Sequence, residues 1–161
     1  MEKYILNETP LRTANNFGIN NIEVVLDIPK YKSFENFNIY TENIEKIKVE
    51  VNQNKISENE NKIGLERQTN YSVKIIIPEN ITIEEKIKLE FNFDEDNAFL
   101  VENIDILLEK NAKANFEIQY NSEERFSNFH NGQLNILLQE NAKADIVVSN
   151  FNNNQSDNLY E

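Results

Sequence analysis

The chain has no cysteine. That excludes disulfides, zinc–thiolate sites and thiolate nucleophiles. It leaves the compartment open, because such a chain folds in either redox environment. Glycine occurs only at positions 18, 64 and 132, too sparsely to cradle phosphate in the usual glycine-rich loop. The only histidine is His130. Without Cys or a second His it makes a poor metal site, and it reads as structural or solvated, in a loop over residues 127–132 just ahead of a strand. No G-x-S-x-G, no H-E-x-x-H and no nucleophile–histidine pairing is present. The longest apolar stretches, such as Ile75-Ile76-Ile77, are far too short to span a bilayer. The N-terminus, MEKYILNETPLRT, has no apolar core of signal-peptide length, so the expected location is the cytoplasm. Positive charge is scarce too, with 16 Lys+Arg against 28 Asp+Glu. A protein that grips a phosphate backbone needs a basic stripe, so neither nucleic acid nor an anionic membrane is an expected partner. The acidity reads as a solubility feature.

Two acidic groups carry enough charge for a hard cation: Glu58, Glu60 and Glu66, and the Asp94-Glu95-Asp96 run. Neither has the glycine and ligand spacing of a calcium loop, and both are expected to be solvated loops. Catalytic, cofactor-binding and metal-ligating residues are therefore all read as none, and the chain is not expected to be an enzyme.

Asparagine and isoleucine are abundant. The 29 asparagines suit a fold with many tight turns, because Asn tolerates left-handed backbone. The β-branched isoleucines favour strands. More informative is repetition. Residues 104–118, IDILLEKNAKANFEI, and 134–148, LNILLQENAKADIVV, share seven of fifteen positions at an offset of 30. A weaker copy, VKIIIPENITI, occupies 73–83, with Asn80 placed 31 residues before Asn111.

Each copy alternates apolar and polar residues, the signature of a half-buried strand. Ile104, Ile106 and Leu108 share a face that Ala112, Ala114, Phe116 and Ile118 continue after a break. Leu134, Ile136 and Leu138, then Ala142, Ala144, Ile146 and Val148, do the same. The breaks Pro78-Glu79-Asn80, Glu109-Lys110-Asn111 and Gln139-Glu140-Asn141 read as corners, so each unit is strand–corner–strand. Stacked parallel units would place like residues about 4.8 Å apart. An antiparallel sandwich of repeated hairpins is the other arrangement, and the near-identical corners favour stacking. The fold expected is all-β, a parallel β-helix, with repeat units near 73–93, 104–120 and 134–149. Leu108, Phe116, Ile136 and Ile146 are expected in its core. Residues 42–51 read as strand in preference to helix. Residues 1–30 read as an extended N-terminal segment and 31–161 as the β-helix core.

The segment LNETPLRTANNFGINNIEV (6–24) resembles the N-terminal signature of the SufB/SufD family of iron–sulfur cluster assembly proteins. Its Pro-X-Arg-Thr element and following Asn step are here Pro10, Arg12, Thr13 and Asn20, with Ile19 before the Asn. The corners Lys110-Asn111-Ala112 and Glu140-Asn141-Ala142 resemble that family's core, as does Phe129-His130-Asn131-Gly132 leading into a strand. The resemblance is closer to SufD than to SufB. It implies that the β-helix is right-handed and that the chain is a non-catalytic scaffold subunit of the SUF system. It also implies a SufB-like subunit and a SufC-like ATPase as partners, with the iron–sulfur cluster and ATP handled by the whole complex. The chain is about half a family member's length, so the resemblance makes it an N-terminal half whose last repeat is exposed. A homodimer through that end is then expected. In this setting Arg12 ties the N-terminal segment to the core or makes a docking contact. A β-helical binding or surface-adhesion module is the alternative function.

Overall fold

The computed structural model describes residues 2–6, 22–26, 32–53, 59–60, 66–67 and 69–160, and they are all-β but for one short 3-10 turn. Two short antiparallel pairs come early in the chain: β1 (Glu2–Leu6) with β2 (Ile22–Leu26), and β5 (Asn59–Glu60) with β6 (Glu66–Arg67). The rest belongs to two mixed sheets. Among the described residues one has four strands and the other five. Residues 42–51 combine both local readings, because the 3-10 turn Ile44–Lys46 precedes strand β4 (Lys48–Gln53).

Each repeat gives one strand to each sheet. The first supplies β7 (Tyr71–Ile77) and β8 (Thr82–Phe93). The second supplies β9 (Phe99–Leu108) and β10 (Lys113–Ser122). The third supplies β11 (Phe129–Leu138) and β12 (Lys143–Phe151). Strands of successive repeats pair in parallel and in register, Ile104 with Leu134 and Val73, and Phe116 with Ile146 and Ile87. The register slips between Lys113/Asn115 of β10 and the facing part of β8. Thr82 lies opposite Lys113 but Lys86 opposite Asn115, so the first repeat carries two extra residues there. That bulge is why its sequence likeness to the other two fades after the corner.

The inward residues of both sheets form one apolar cluster, with Ile75, Ile77, Leu89, Phe91, Leu108, Phe116 and Ile118 at its centre. A strand with one face on a core and the other toward solvent alternates apolar and polar residues, and the burial of β7 alternates without a break.

The two ends of this core differ. At the first, β3 (Phe37–Tyr40) lies antiparallel on β8 and β4 lies antiparallel on β7. Phe34, fully buried, closes the interior, with its ring 5.5 Å from Phe93 and 6.1 Å from Phe91. Phe37 adds a ring 4.6 Å from Phe91.

At the other end the cover is partial. Strand β13 (Asp157–Tyr160) pairs in parallel with Phe129 to Gly132 of β11. The inward residues beyond that point lose their shelter. Ile106 is 1% exposed and its register mate Ile136 is 46% exposed; Ile118 is 1% and Val148 is 47%. Leu108 and Phe116 are buried as expected. Ile136 is not, and Ile146 is only partly buried. They face inward, but no further layer lies over them among the described residues.

Candidate functional site

The three corners share one geometry. Asn80, Asn111 and Asn141 have φ of 63°, 59° and 60°, the left-handed region that Asn tolerates better than other side-chain-bearing residues. Each is the third residue of a turn closed by the next residue's N–H, as in Ala112 N to Glu109 O at 3.0 Å and Ala142 N to Gln139 O at 3.0 Å. The side chains form a ladder. Asn111 Nδ2 donates to Asn80 Oδ1 at 2.9 Å, and Asn141 Nδ2 to Asn111 Oδ1 at 3.2 Å. Ala112 after the corner is fully buried and Ala142 partly so. Ile81 fills the same place in the first repeat, so the position accepts a larger side chain there.

A second group lies inside the core. Glu102 points inward from β9, where an apolar residue would be expected by alternation, and is 1% exposed. Its Oε1 accepts from Tyr120 Oη at 2.8 Å, and its Oε2 lies 2.8 Å from His130 Nε2. His130 Nδ1 faces Asn158 Oδ1 of β13 at 3.3 Å. A carboxylate in a low-dielectric interior is costly unless its oxygens find partners, and here both do. Space comes from Gly132, which stacks on Glu102. A Cβ at that position would clash with Glu102 Oε1 and lie 2.9 Å from His130 Nε2. The Tyr120 ring stacks on Phe91 at 5.1 Å and lies 4.3 Å from the His130 ring. Burial also pushes the Tyr71 phenol, in the neighbouring strand β7, well above its ordinary range.

Of the two readings of His130, structural or solvated, its full burial agrees with the structural one, but its place is the second residue of β11 and not a loop. The polar sequence around it, Asn128 to Asn131, suggests a turn, but parallel pairing to Phe99, Leu100 and Val101 draws residues 129–131 into the sheet. Glu102, Tyr120 and Asn158 were not legible as its partners, since only stacking of the repeats brings them together. Of the residues carrying the family resemblance, Asn111, Ala112, Asn141 and Ala142 stand at the corners. Asn131 is buried beside His130 in β11. Pro10, Arg12, Thr13 and Asn20 lie outside the described residues.

The Asp94-Glu95-Asp96 run is a built turn. Asp94 Oδ1 accepts from Asp96 N at 2.9 Å and Asn97 N at 2.8 Å, and Oδ2 accepts from Asn36 Nδ2 at 2.9 Å. Partial burial alone would raise this carboxyl, but the hydrogen bonds from Asn97, Asn36 and Asp96 outweigh it and hold Asp94 below its ordinary value. Asn97 Oδ1 in turn accepts from Glu35 N at 2.7 Å and Asn36 N at 3.2 Å, which fastens the Phe34 segment over the core. Glu58 lies outside the described residues, and the side chains of Glu60 and Glu66 are likewise outside them.

Glu102, Tyr120 and His130 are each no more than 2% exposed, so a substrate reaches none of them in this conformation. Nor do the residues fit an iron–sulfur cluster, because the chain supplies no thiolate and the His130 ring nitrogens face Glu102 and Asn158. No described helix is long and apolar enough to cross a membrane. Comparison with protein-family models, with curated proteins and with solved structures returned no match.

Proposed function

We propose that the repeats are successive coils of a right-handed parallel β-helix, and that the chain is a non-catalytic scaffold subunit of the SufD kind in iron–sulfur cluster assembly. The observation that carries this reading is the asparagine ladder: three left-handed Asn corners in one column, two of them followed by Ala. It gives the Asn–Ala corners that resemble the SufB/SufD core a physical role, as the points that fix the register of one coil on the next. An interior filled by side chains, with its one carboxylate–imidazole pair sealed, suits a rigid spacer. In this reading the partners are a SufB-like subunit and a SufC-like ATPase, which carry the cluster chemistry and ATP hydrolysis.

The test is co-expression of the tagged chain with SufB-like and SufC-like subunits, followed by affinity purification and size analysis. Recovery of a stoichiometric complex supports the proposal. A chain that takes up neither subunit, alone or together, overturns it and leaves the β-helical binding or surface-adhesion module as the better reading.

A further inference from the structure

Asn131-Gly132, near the start of β11, is the chain's one Asn-Gly step. Asparagine before glycine readily loses its side-chain amide, because glycine carries no Cβ to hinder its nitrogen. The Gly132 nitrogen attacks Asn131 Cγ, the Cγ–Nδ2 bond breaks, and ammonia leaves with the backbone amide proton. Solvent water then opens the cyclic imide at one carbonyl or the other, giving aspartate or isoaspartate. The fold withholds the step from this reaction. Ring closure needs the Asn131 ψ to leave the strand value of about 115–135°. There β11 is paired in parallel on both sides, Asn131 opposite Val101 and Leu159, and Gly132 opposite Glu102 and Tyr160. Asn131 is 2% exposed, and Glu102 and His130 fill the space over Gly132. The corners show the opposite combination. Asn80 and Asn141 are exposed, but isoleucine and alanine follow them.

We propose that Asn131-Gly132 is a modification site that opens only when the start of β11 leaves its sheet, and that deamidation there makes the opening permanent. Local opening and closing take microseconds to seconds, far faster than loss of ammonia. The rate is then that of the free step multiplied by the fraction of molecules open. Either product resists return. Aspartate places a carboxylate at a position 2% exposed in the folded chain, and a buried charge without a partner is costly. Isoaspartate also adds a methylene to the backbone. The pairing of β11 with β9 then shifts from Gly132 onward, and Gly132 no longer makes room for Glu102. The Glu102–His130 contact and, through Asn158, the hold on β13 are disturbed with it. The mark is thus confined to chains whose third repeat has opened. The inference rests on the stacking geometry and not on the SUF assignment.

The test is peptide mapping by mass spectrometry of the full chain aged at neutral pH, once folded and once in concentrated urea. In urea Asn131 should be a principal site of conversion to aspartate and isoaspartate. In the folded chain its conversion should be roughly tenfold slower or more, as an opening populated in about one molecule in ten or fewer requires. Asn158→Ala removes the group that β13 presents to His130. It should speed conversion in the folded chain roughly two- to tenfold, the effect of one lost hydrogen bond on the open fraction, and circular dichroism checks that the chain stays folded. Asn131→Asp, which reproduces one product, should lower the denaturant midpoint and speed hydrogen exchange in β13. Equal conversion in the folded and urea-treated chains, or a folded rate indifferent to Asn158→Ala, overturns the gating. No conversion of Asn131 in urea overturns the site. An Asn131→Asp chain as stable and as protected as the parent overturns the permanence. None of these outcomes depends on SufB-like or SufC-like subunits, so the two proposals fail separately.

Discussion

At the scale of single residues, the corner asparagines do two jobs that separate substitutions can distinguish. The first is to occupy φ near 60°, and the second is to bond the asparagines above and below. Asn111→Gly keeps the backbone freedom and loses the ladder bonds, so it should cost about 1 kcal/mol. Asn111→Val loses both, and a β-branched residue in the left-handed region adds about 1–2 kcal/mol. Urea unfolding of the two variants checks the order; equal losses would mean that backbone conformation is not limiting. Phe116 and Ile136 make a second contrast. Both face inward, but Phe116 is 1% exposed and Ile136 46%. Phe116→Ala should therefore cost about 3–5 kcal/mol, and Ile136→Ala less, about 1 kcal/mol, because nearly half of its surface stays in water in the folded chain. A large loss at Ile136 would show that the open end is covered in solution.

At the scale of elements, the turn after β8 and the start of β11 each hang on one side chain. Asp94 holds its turn and, through Asn36 and Asn97, the segment bearing Phe34. Its carboxyl lies below the ordinary 3.8. Its contribution is thus present above that value and is lost as pH falls through the lower, folded value. Asp94→Ala should be less stable than the parent chain near neutral pH, and the gap should narrow on acidification below 3.8. Denaturant midpoints across pH measure this, and a constant gap would assign the loss to something other than ionisation. Gly132→Ala forces Glu102 or His130 aside, a crowding that costs about 1–3 kcal/mol, and should loosen β13, whose Asn158 faces His130. The sequence foretold these elements unevenly. The strands and corners of the second and third repeats were legible because fifteen-residue copies differ in only eight positions and each alternates cleanly. The buried cluster was not. Glu102, Tyr120 and His130 each look like an ordinary polar residue beside a turn, and only Gly132 stacked over Glu102 makes room for them. Phe34 and strand β3 over the first repeat also went unread, since nothing in residues 32–40 repeats elsewhere; β4 was read as strand from the alternation of Ile47, Val49 and Val51, but not its antiparallel place on β7.

At the scale of the whole molecule, the decisive feature is the unlike treatment of the two ends. In a stack of repeats each unit is held by its neighbours, so a unit covered on one side is weaker than one covered on both. The first repeat has β3, β4 and Phe34 on one side and the second repeat on the other. The second lies between two repeats. The third has the second on one side and, on the other, β13 over residues 129–132 only. Native-state hydrogen exchange should therefore grade along the chain. Amides in β7, β8, β9 and β10 that bond across to a neighbouring strand should exchange only through the largest openings. Those of β12 should exchange through smaller, local ones. Within β12 the amides bonded to β10 should outlast those on the free edge. Within β11 the residues beside β13 should outlast Gln133 through Leu138. Equal protection of the second and third repeats would mean that the stack opens as one unit, and the free end would then be no weaker than the capped one.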